Sequence, residues 1–435
     1  MMEKILEQAR KVAEAAEVFE VTTEETPVQF EANRLKHIQS SQSRIVALRI
    51  IKNGRVGYSI TTDTENDSSL VDSAVETAEF GARACFELPH LTDYPQIDIY
   101  DPEVEKVPLE RMIALGQEMI DTVRRSNADI ICEGGVDRYI VSVRIMNSNG
   151  GGARYKKSIF SMGIEGNLIR GTDILFVGES ESSCHPLADT KAVTDVIIQQ
   201  LEWAKEQAAA PSRSLPVIFT PNGVASAIIS PLMAAFNGKI VLQGASPIGD
   251  KLGEPVFDNK LYLRDDSTIA YRPASQPFDD EGVPSRSTIL VKDGVPQSFL
   301  YDLQTAAMAG EQSTGNGSRH GGGLPGVSPN ALVIQAGDAS FEDMIADIKE
   351  GLVVEYLMGA GQGNVLGGDF SGNVLLGYEV ENGRMVGRVK DTMVSGNIYR
   401  LLKDIAAIGS DARWVGSSLN TPSLYFSSVP VASKK

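Results

Sequence analysis

Three turn signals constrain the backbone of this chain more than any other feature of its sequence. Asn53-Gly54, Asp293-Gly294 and Asn382-Gly383 each lie between two runs that are rich in β-branched and aromatic residues. Such pairs tolerate the positive φ angles of the tight turn that joins two antiparallel strands. The sequence therefore predicts three β-hairpins, one in the N-terminal half and two in the C-terminal half.

Helical patterns are mixed with these strands. Apolar residues recur at helical spacing over 3–18, 68–84, 108–125, 190–206 and 222–236. Strands and helices do not alternate regularly, so the pattern argues against a doubly wound parallel sheet. We expect an α+β fold with mostly antiparallel sheets and helices packed against them.

The chain is long enough for two domains. Its 435 residues exceed the roughly 250–300 at which a single hydrophobic core stops growing. The segment AAAPSRSLP at 208–216 breaks the preceding helical pattern with prolines. We expect an N-terminal α+β domain over 1–207 and a β-rich α+β domain over 215–435.

Composition argues against several classes of protein. The net charge of −17 disfavours direct binding to nucleic acid, because phosphate backbones are bound by clustered Lys and Arg. No apolar run approaches the roughly 18 residues of a membrane span, and charges near the N-terminus argue against a signal peptide. The three cysteines form no C-x-x-C pair. We expect a cytoplasmic protein that binds neither nucleic acid nor membrane.

The sequence offers no familiar catalytic motif. The four histidines are far apart and none belongs to an H-E-x-x-H pattern: His37, His90, His185 and His320. Adjacent Cys184 and His185 could pair thiol and imidazole, but neighbouring side chains usually diverge, which favours a loop at a strand end. The glycine-rich segment 359–372 continues as strand rather than helix, which indicates turns instead of a dinucleotide site. We predict no catalytic residue, metal or cofactor.

Two polar loops are candidate binding sites. The first, FDDEGVPSR at 278–286, places Asp279, Asp280 and Glu281 in succession. Three carboxylates in a turn can hold a cation or act as acid and base, whereas a solvated turn or a helix cap is the commoner role. A hard-cation enzyme built on this turn would be stabilised by calcium or magnesium.

The second loop, STGNGSRHGGG at 313–323, carries Arg319 and His320 in a backbone permissive enough to approach a ligand closely. The Arg fork could receive the carboxylate of a peptide. A surface loop without a ligand is the alternative. Both interpretations remain open at this stage.

These loops belong to a larger resemblance. FDDEGVP, the Asp293-Gly294 hairpin, STGNG, the Asn382-Gly383 hairpin and IAAIGSDA at 405–412 occur in the order and spacing of the TldD/PmbA family, also labelled peptidase U62-like or modulators of DNA gyrase. The chain resembles its PmbA/TldE branch. The resemblance implies a two-domain cytoplasmic protein associated with peptide maturation and breakdown.

The resemblance also implies where metal ligands would be. The TldD branch is a metallopeptidase with H-E-x-x-x-H on a helix and a cysteine near the C-terminus. Aligned from 217–220, that helix falls on Ile229, Ser230 and Ala234, which are not zinc ligands, and Pro231 would kink it. The cysteine position falls within WVGSSLNTPSL at 414–424, which has no thiol.

The resemblance thus implies a subunit that lacks the metal-binding motif and partners a TldD-like metallopeptidase, contributing scaffold and part of a peptide cleft. The alternative is a self-associating, dimeric protein that binds peptides without a catalytic partner. Under either interpretation the ligand is a peptide, and the binding candidates are Asp279, Asp280, Glu281, Arg319 and His320.

Overall fold

A computed structural model describes residues 1–62, 67–90, 93–171 and 173–434. Within these residues the N-terminal half is built around one antiparallel sheet, whose strands follow the order β4-β3-β1-β5-β6-β7, with β2 paired to β1. The strands of this half are β1 (Ala15–Glu31), β2 (Arg34–Ile38), β3 (Ser41–Lys52), β4 (Arg55–Thr61), β5 (Ile131–Asn147), β6 (Gly152–Arg170), β7 (Asp173–Ser183) and the short β8 (Gln207–Ala208).

Helices cover one face of this sheet. Residues alternate between the two faces of a strand. The even-numbered side chains Val136, Ile140, Phe160 and Met162 pack in one core with the apolar sides of the helices at 109–126 and 191–203. The helices of this half are α1 (Met2–Ala9), α2 (Asp67–Ala78), α3 (Pro102–Lys106), α4 (Leu109–Ser126) and α5 (Lys191–Trp203). The odd-numbered face of β5 and β6 is left for the C-terminal half.

The C-terminal half contains two larger sheets and a two-stranded one. One follows the order β16-β9-β23-β19-β17-β18-β8, and because β16 also pairs with β17, five of its strands close into a ring. The second follows the order β12-β11-β10-β15-β22-β21, and β13 pairs with β14. These strands are β9 (Ser214–Phe219), β10 (Leu263–Asp266), β11 (Ser287–Lys292), β12 (Val295–Pro296), β13 (Gly317–Ser318), β14 (Gly326–Val327), β15 (Leu332–Ile334), β16 (Glu350–Met358), β17 (Asp369–Glu381), β18 (Arg384–Val389), β19 (Thr392–Asn397), β20 (Ala407–Ile408), β21 (Arg413–Val415), β22 (Leu419–Thr421) and β23 (Leu424–Ser433).

Helices of this half are short and lie between the strands. They are α6 (Pro221–Val224), α7 (Ser230–Phe236), α8 (Gly238–Leu242), α9 (Leu303–Ala309), α10 (Phe341–Ala346) and α11 (Ile398–Leu401), with 3-10 turns at His320–Gly322 and Ala360–Gln362. The pairings are mostly antiparallel; β9 with β16, β8 with β18 and β15 with β22 are parallel. The predicted α+β class is confirmed.

The three predicted hairpins are present. Asn53 and Gly54 join β3 to β4 with φ angles of 52° and 69°, which suit a two-residue turn with both φ values positive. Asp293-Gly294 and Asn382-Gly383 join β11 to β12 and β17 to β18 with the same signs of φ. In each case the two turn residues alone predicted the hairpin correctly.

Two helix predictions need correction. The helix expected over 3–18 ends at Ala9, because residues from Ala15 onwards pair with β3 and β5 as the central strand β1. The helix expected over 222–236 is present, but residues Ala225–Ile229 form a π-helical turn before α7 begins at Ser230. Pro231, expected to kink this helix, lies in the first turn of α7, directly after the wider π turn.

The two halves share hydrophobic contacts. One core cluster contains Val136 and Phe160 from the N-terminal sheet together with Val353, Leu376 and Tyr378 from the C-terminal sheet. The domain boundary at 208–216 therefore stays a prediction. Among the described residues, no helix is both long enough and apolar enough for a bilayer crossing.

Candidate functional site

The predicted acidic turn is buried, and the side chain of Asp279 accepts hydrogen bonds from backbone amides of the same turn. Asp279 accepts hydrogen bonds at Oδ1 from the amides of Glu281 and Val283, both at 2.9 Å. Its Oδ2 accepts from the amide of Gly317 at 2.8 Å, so the carboxylate joins the two polar loops. Burial, and secondly the charge of Glu281, raise the pKa of Asp279, while these three amides oppose that rise.

A set of buried ion pairs, which we call the buried ion network, runs from this turn into the N-terminal sheet. Glu281 accepts from Arg49, whose Nη2 also donates to Glu17 Oε2 at 3.0 Å. Glu17 accepts at its other oxygen from Arg319. None of these four side chains is more than 4% exposed. Because Glu17 and Arg49 are cross-strand neighbours on β1 and β3, the network joins the two halves of the chain.

Arg319 makes further contacts within its own half. Its amide donates to Asp280 Oδ2 at 2.7 Å and its Nε donates to the Asp280 carbonyl at 3.1 Å. Its Nη1 donates to the carbonyl of Gly323 at 3.2 Å. His320 is exposed and shows no side-chain hydrogen bond to any described residue. The structure thus brings four of the five predicted binding residues together and leaves His320 at the surface.

These contacts limit the access of a ligand to Arg319 and the acidic turn. Burial lowers the pKa of Arg319 and raises that of Asp280. A peptide carboxylate could reach the Arg319 guanidinium only by displacing Glu17 or a backbone carbonyl. The geometry favours a structural role for Arg319 and the acidic turn, and their role in binding a ligand stays a prediction.

A large open cavity lies elsewhere, on the face of the N-terminal sheet that carries the odd-numbered residues of β5 and β6 and the even-numbered residues of β7. We call it the acidic cleft; its volume is about 900 Å³. The sheet supplies its floor, which carries Glu133, Asp137, Tyr139, Ile159, Glu165 and Phe176. The C-terminal half supplies the facing wall through Asn222, Pro273, Tyr356 and the segment 415–417. Both halves are therefore needed to form it.

The facing wall contains one residue of each segment in which the family resemblance puts a metal ligand, Asn222 and Ser417, whereas the aligned positions Ile229, Ser230 and Ala234 do not line the cleft. Asn222 stands at the start of the helical segment 221–236, which begins with Thr220 as its cap. Ile229 and Ala234 are half-buried further along this segment, and Ser230 is exposed. Ser417 belongs to the stretch in which the peptidase branch carries its cysteine. In the described part of the chain, no three His, Cys, Asp or Glu side chains are placed to hold a metal ion.

Buried polar groups support this wall. Glu179 accepts from Arg413 Nη1 at 2.6 Å and from Asn222 Nδ2 at 3.4 Å. Glu355 accepts from the Thr220 hydroxyl at 3.0 Å, and burial raises its pKa. The Tyr356 hydroxyl donates to the carbonyl of Gly178 at 2.9 Å. The contacts of Glu179 and Gly178 join the edge strand β7 to the C-terminal half.

Two further carboxyl groups in the cleft have raised pKa values. Burial, with a smaller contribution from Glu25, raises the pKa of Asp137 to about 6. Burial also raises the pKa of Glu181, and Arg272 partly offsets this. Sequence reasoning missed the cleft, because its residues come from segments between 133 and 417 that only the fold brings together. The alternation of small and acidic residues on β5 and β6 was the one available signal.

Comparison with known proteins agrees with the resemblance read from the sequence. The chain matches the family model for the PmbA/TldA metallopeptidase C-terminal domain over residues 212–433 and that for domain 1 over 16–82. An uncharacterized protein of Methanocaldococcus jannaschii is 27% identical over 98% of both chains. A metalloprotease PmbA homolog of Haemophilus influenzae is 24% identical, over 93% of this chain and 90% of its own.

A solved structure shares the fold. The crystal structure of TldE from Thermococcus kodakarensis superposes with a TM-score of 0.89 at 22% sequence identity, covering 99% of both chains. At this identity the likeness establishes the common fold.

Proposed function

Because this chain belongs to the TldD/PmbA family, we propose that it is a PmbA/TldE-like, non-catalytic subunit of a metallopeptidase system. Its role is to assemble with a TldD-like metallopeptidase subunit and to contribute scaffold and a peptide-binding surface. The reaction served is the cleavage of peptides during maturation or breakdown. We place the assembly in the cytoplasm, in agreement with free thiols at Cys85, Cys132 and Cys184.

One observation carries this proposal. The helical segment 221–236 reaches the acidic cleft at Asn222, and the positions further along it that align with the metal ligands hold Ile229, Ser230 and Ala234. Zinc in proteins is bound by Cys, His, Asp or Glu, and none of these residue types stands at the three positions. A surface that is retained while its chemistry is replaced is what a supporting subunit needs.

The test is reconstitution with the TldD-like subunit of the same organism. Light scattering should report a hetero-assembly, and peptidase activity of the mixture should exceed that of either subunit alone. Elemental analysis of the separated subunits should assign the metal to the partner, with far less than one zinc or iron per copy of this chain. Separate elution of the two subunits would remove the proposal, and so would stoichiometric metal on this chain.

A second candidate function is a self-associating peptide-binding protein. It is favoured by one feature of the cleft: a single copy of the chain supplies both the floor and the facing wall. On this account the chain alone is a dimer by light scattering and binds peptides, while adding the TldD-like subunit changes neither its mass nor its peptide affinity.

A further inference from the structure

The floor of the acidic cleft has a regular chemical pattern. The pairing of β5 with β6 sets Glu133 opposite Glu165, Gly135 opposite Gly163 and Asp137 opposite Ser161. Gly163 in turn lies opposite Ser180 on β7. A track of small residues therefore crosses the sheet, with two carboxylates on one side of it and one on the other. The small residues leave this face open to a ligand.

Three of the five acidic side chains of the cleft have no counter-charge among the described residues. The cleft is lined by five acidic side chains, and no described Lys, Arg or His side chain lines it. Glu179 is paired with Arg413, and Arg272 lies close enough to Glu181 to affect its pKa. The other three, Glu133, Asp137 and Glu165, have no hydrogen bond or ion pair to any described residue.

This arrangement costs stability in the empty protein. Like charges directly opposite each other on neighbouring strands repel, and Glu133 and Glu165 form such a pair. Asp137 is half-buried, and burial, with a smaller contribution from the charge of Glu25, raises its pKa. Glu133 and Glu165 are exposed on the floor of the cleft and Asp137 is half-buried, so this face carries negative charge that a cationic ligand would offset.

The remaining walls suit the carbon stem of a long cationic side chain. Phe176 and Tyr356 meet edge to face, with ring centroids 5.6 Å apart, and both line the cleft. Tyr139 and Ile159 lie opposite each other on the floor. Lys and Arg side chains bury their methylene stems on such surfaces, and their charged ends are attracted to aromatic faces.

We propose that the acidic cleft selects positively charged peptides, with a Lys or Arg side chain or a free amino terminus placed between Glu133, Glu165 and Asp137. The choice of a peptide as ligand rests on the proposed function; the requirement for positive charge rests on the cleft alone. A volume of about 900 Å³ lies within the range of small-ligand sites, so the cleft accommodates only a few residues.

The experiment is calorimetric titration of the isolated full-length chain with three blocked pentapeptides of the same length. One carries lysine at its second and fourth positions, the next carries glutamine there, and the last carries glutamate. The lysine peptide should bind about tenfold more tightly than the glutamine peptide, because only lysine can form ion pairs with the carboxylates of the cleft. The glutamate peptide should bind most weakly.

Two double variants test whether Glu133 and Glu165 cause the preference for the lysine peptide. The double substitution Glu133→Gln with Glu165→Gln should raise the Kd of the lysine peptide about tenfold and leave the glutamine peptide within about twofold of wild type. The matched control is Glu76→Gln with Glu254→Gln, which removes the same charge from exposed positions outside the cleft and should leave both affinities unchanged. Equal losses in the two double variants would mean that net charge, not the cleft, attracts the peptide, and would overturn the proposal.

Two further results would also overturn it. One is equal affinity for the lysine and glutamine peptides. The other is binding of spermidine as tight as that of the lysine peptide, which would identify a polyamine site instead. The outcome is separable from that of the proposed function, because titration uses this chain alone. If the chain binds lysine peptides selectively but does not assemble with the TldD-like subunit, the charge selectivity of the cleft stands and the subunit role is wrong. If it assembles but shows no charge selectivity, the subunit role stands and the charge selectivity is wrong.

Discussion

Replacing Arg319 by methionine tests the buried ion network most directly. The substitution keeps a long apolar side chain but removes the cation that faces Glu17, and both side chains are 0% exposed. Glu17 then keeps only its contact with Arg49, and the carbonyls of Asp280 and Gly323 lose their side-chain donors. Removing one partner of a buried ion pair typically costs about 3–5 kcal/mol, because the remaining charge stays desolvated.

Urea unfolding followed by circular dichroism measures this cost. With a slope of about 3 kcal/mol per molar urea, the midpoint of Arg319→Met should fall by about 1 M or more. The matched control is Arg34→Met on the exposed strand β2, which should shift the midpoint by no more than about 0.2 M. The double variant Glu17→Gln with Arg319→Met should lose less than the sum of the two single losses, because it removes the unpaired charge as well as its partner.

The same variant separates the structural role from the peptide-binding role predicted from the sequence. If Arg319 receives a peptide carboxylate, Arg319→Met should unfold at the wild-type urea concentration and lose peptide affinity. An unchanged midpoint would therefore refute the reasoning from burial and restore the 313–323 loop as a binding site.

Two pH dependences follow from single buried groups. The pKa of Asp137 is raised to about 6, so the folded protein binds this proton more tightly than the unfolded chain and stability should increase as the pH falls from 7 to 5. Asp137→Asn should unfold at higher urea than wild type at pH 7, by on the order of 1 kcal/mol, and about half of that advantage should be lost at pH 5, because the difference disappears only below the ordinary Asp pKa of about 4. Burial lowers the pKa of Lys157 to about 8, so the unfolded chain binds this proton more tightly than the folded protein. Between pH 8 and 10 the free energy of unfolding of the wild type should therefore rise relative to that of Lys157→Met. Parallel pH profiles of the two proteins would contradict this assignment.

Sequence reasoning succeeded where structure is decided locally. The Asn53-Gly54 turn needs only its own two residues to adopt positive φ angles, and the strands beside it already alternate. The opening segment failed for the opposite reason. Ala16 fits a helical pattern, but it is buried on β1 opposite Ile50 of β3, and the pairing of β1 with both β3 and β5 outweighs intrinsic helix propensity.

The candidate site shows the same division. The polar loops at 278–286 and 313–323 were recognised as unusual, and the structure joins them through Asp279 and Gly317. The sequence around their partners Glu17 and Arg49 does not predict these ion pairs, because each is a single charged residue whose partner lies more than two hundred positions away. The acidic cleft could not be predicted from the sequence for the same reason, because its two faces come from different halves of the chain.

The two sets of carboxylates in this protein differ in a way that bears on function. Glu281 has an arginine and a backbone amide at its oxygens, so its negative charge is already neutralised by the fold. Glu133 and Glu165 face each other across two strands without such partners among the described residues. A buried charge that is fully paired resists any ligand that would disturb it, whereas an unpaired charge in an open cavity becomes more stable when a cation arrives. Carboxylates that attract attention because they are adjacent in sequence therefore make the poorer binding site here, and the better one consists of carboxylates that the fold leaves unpaired.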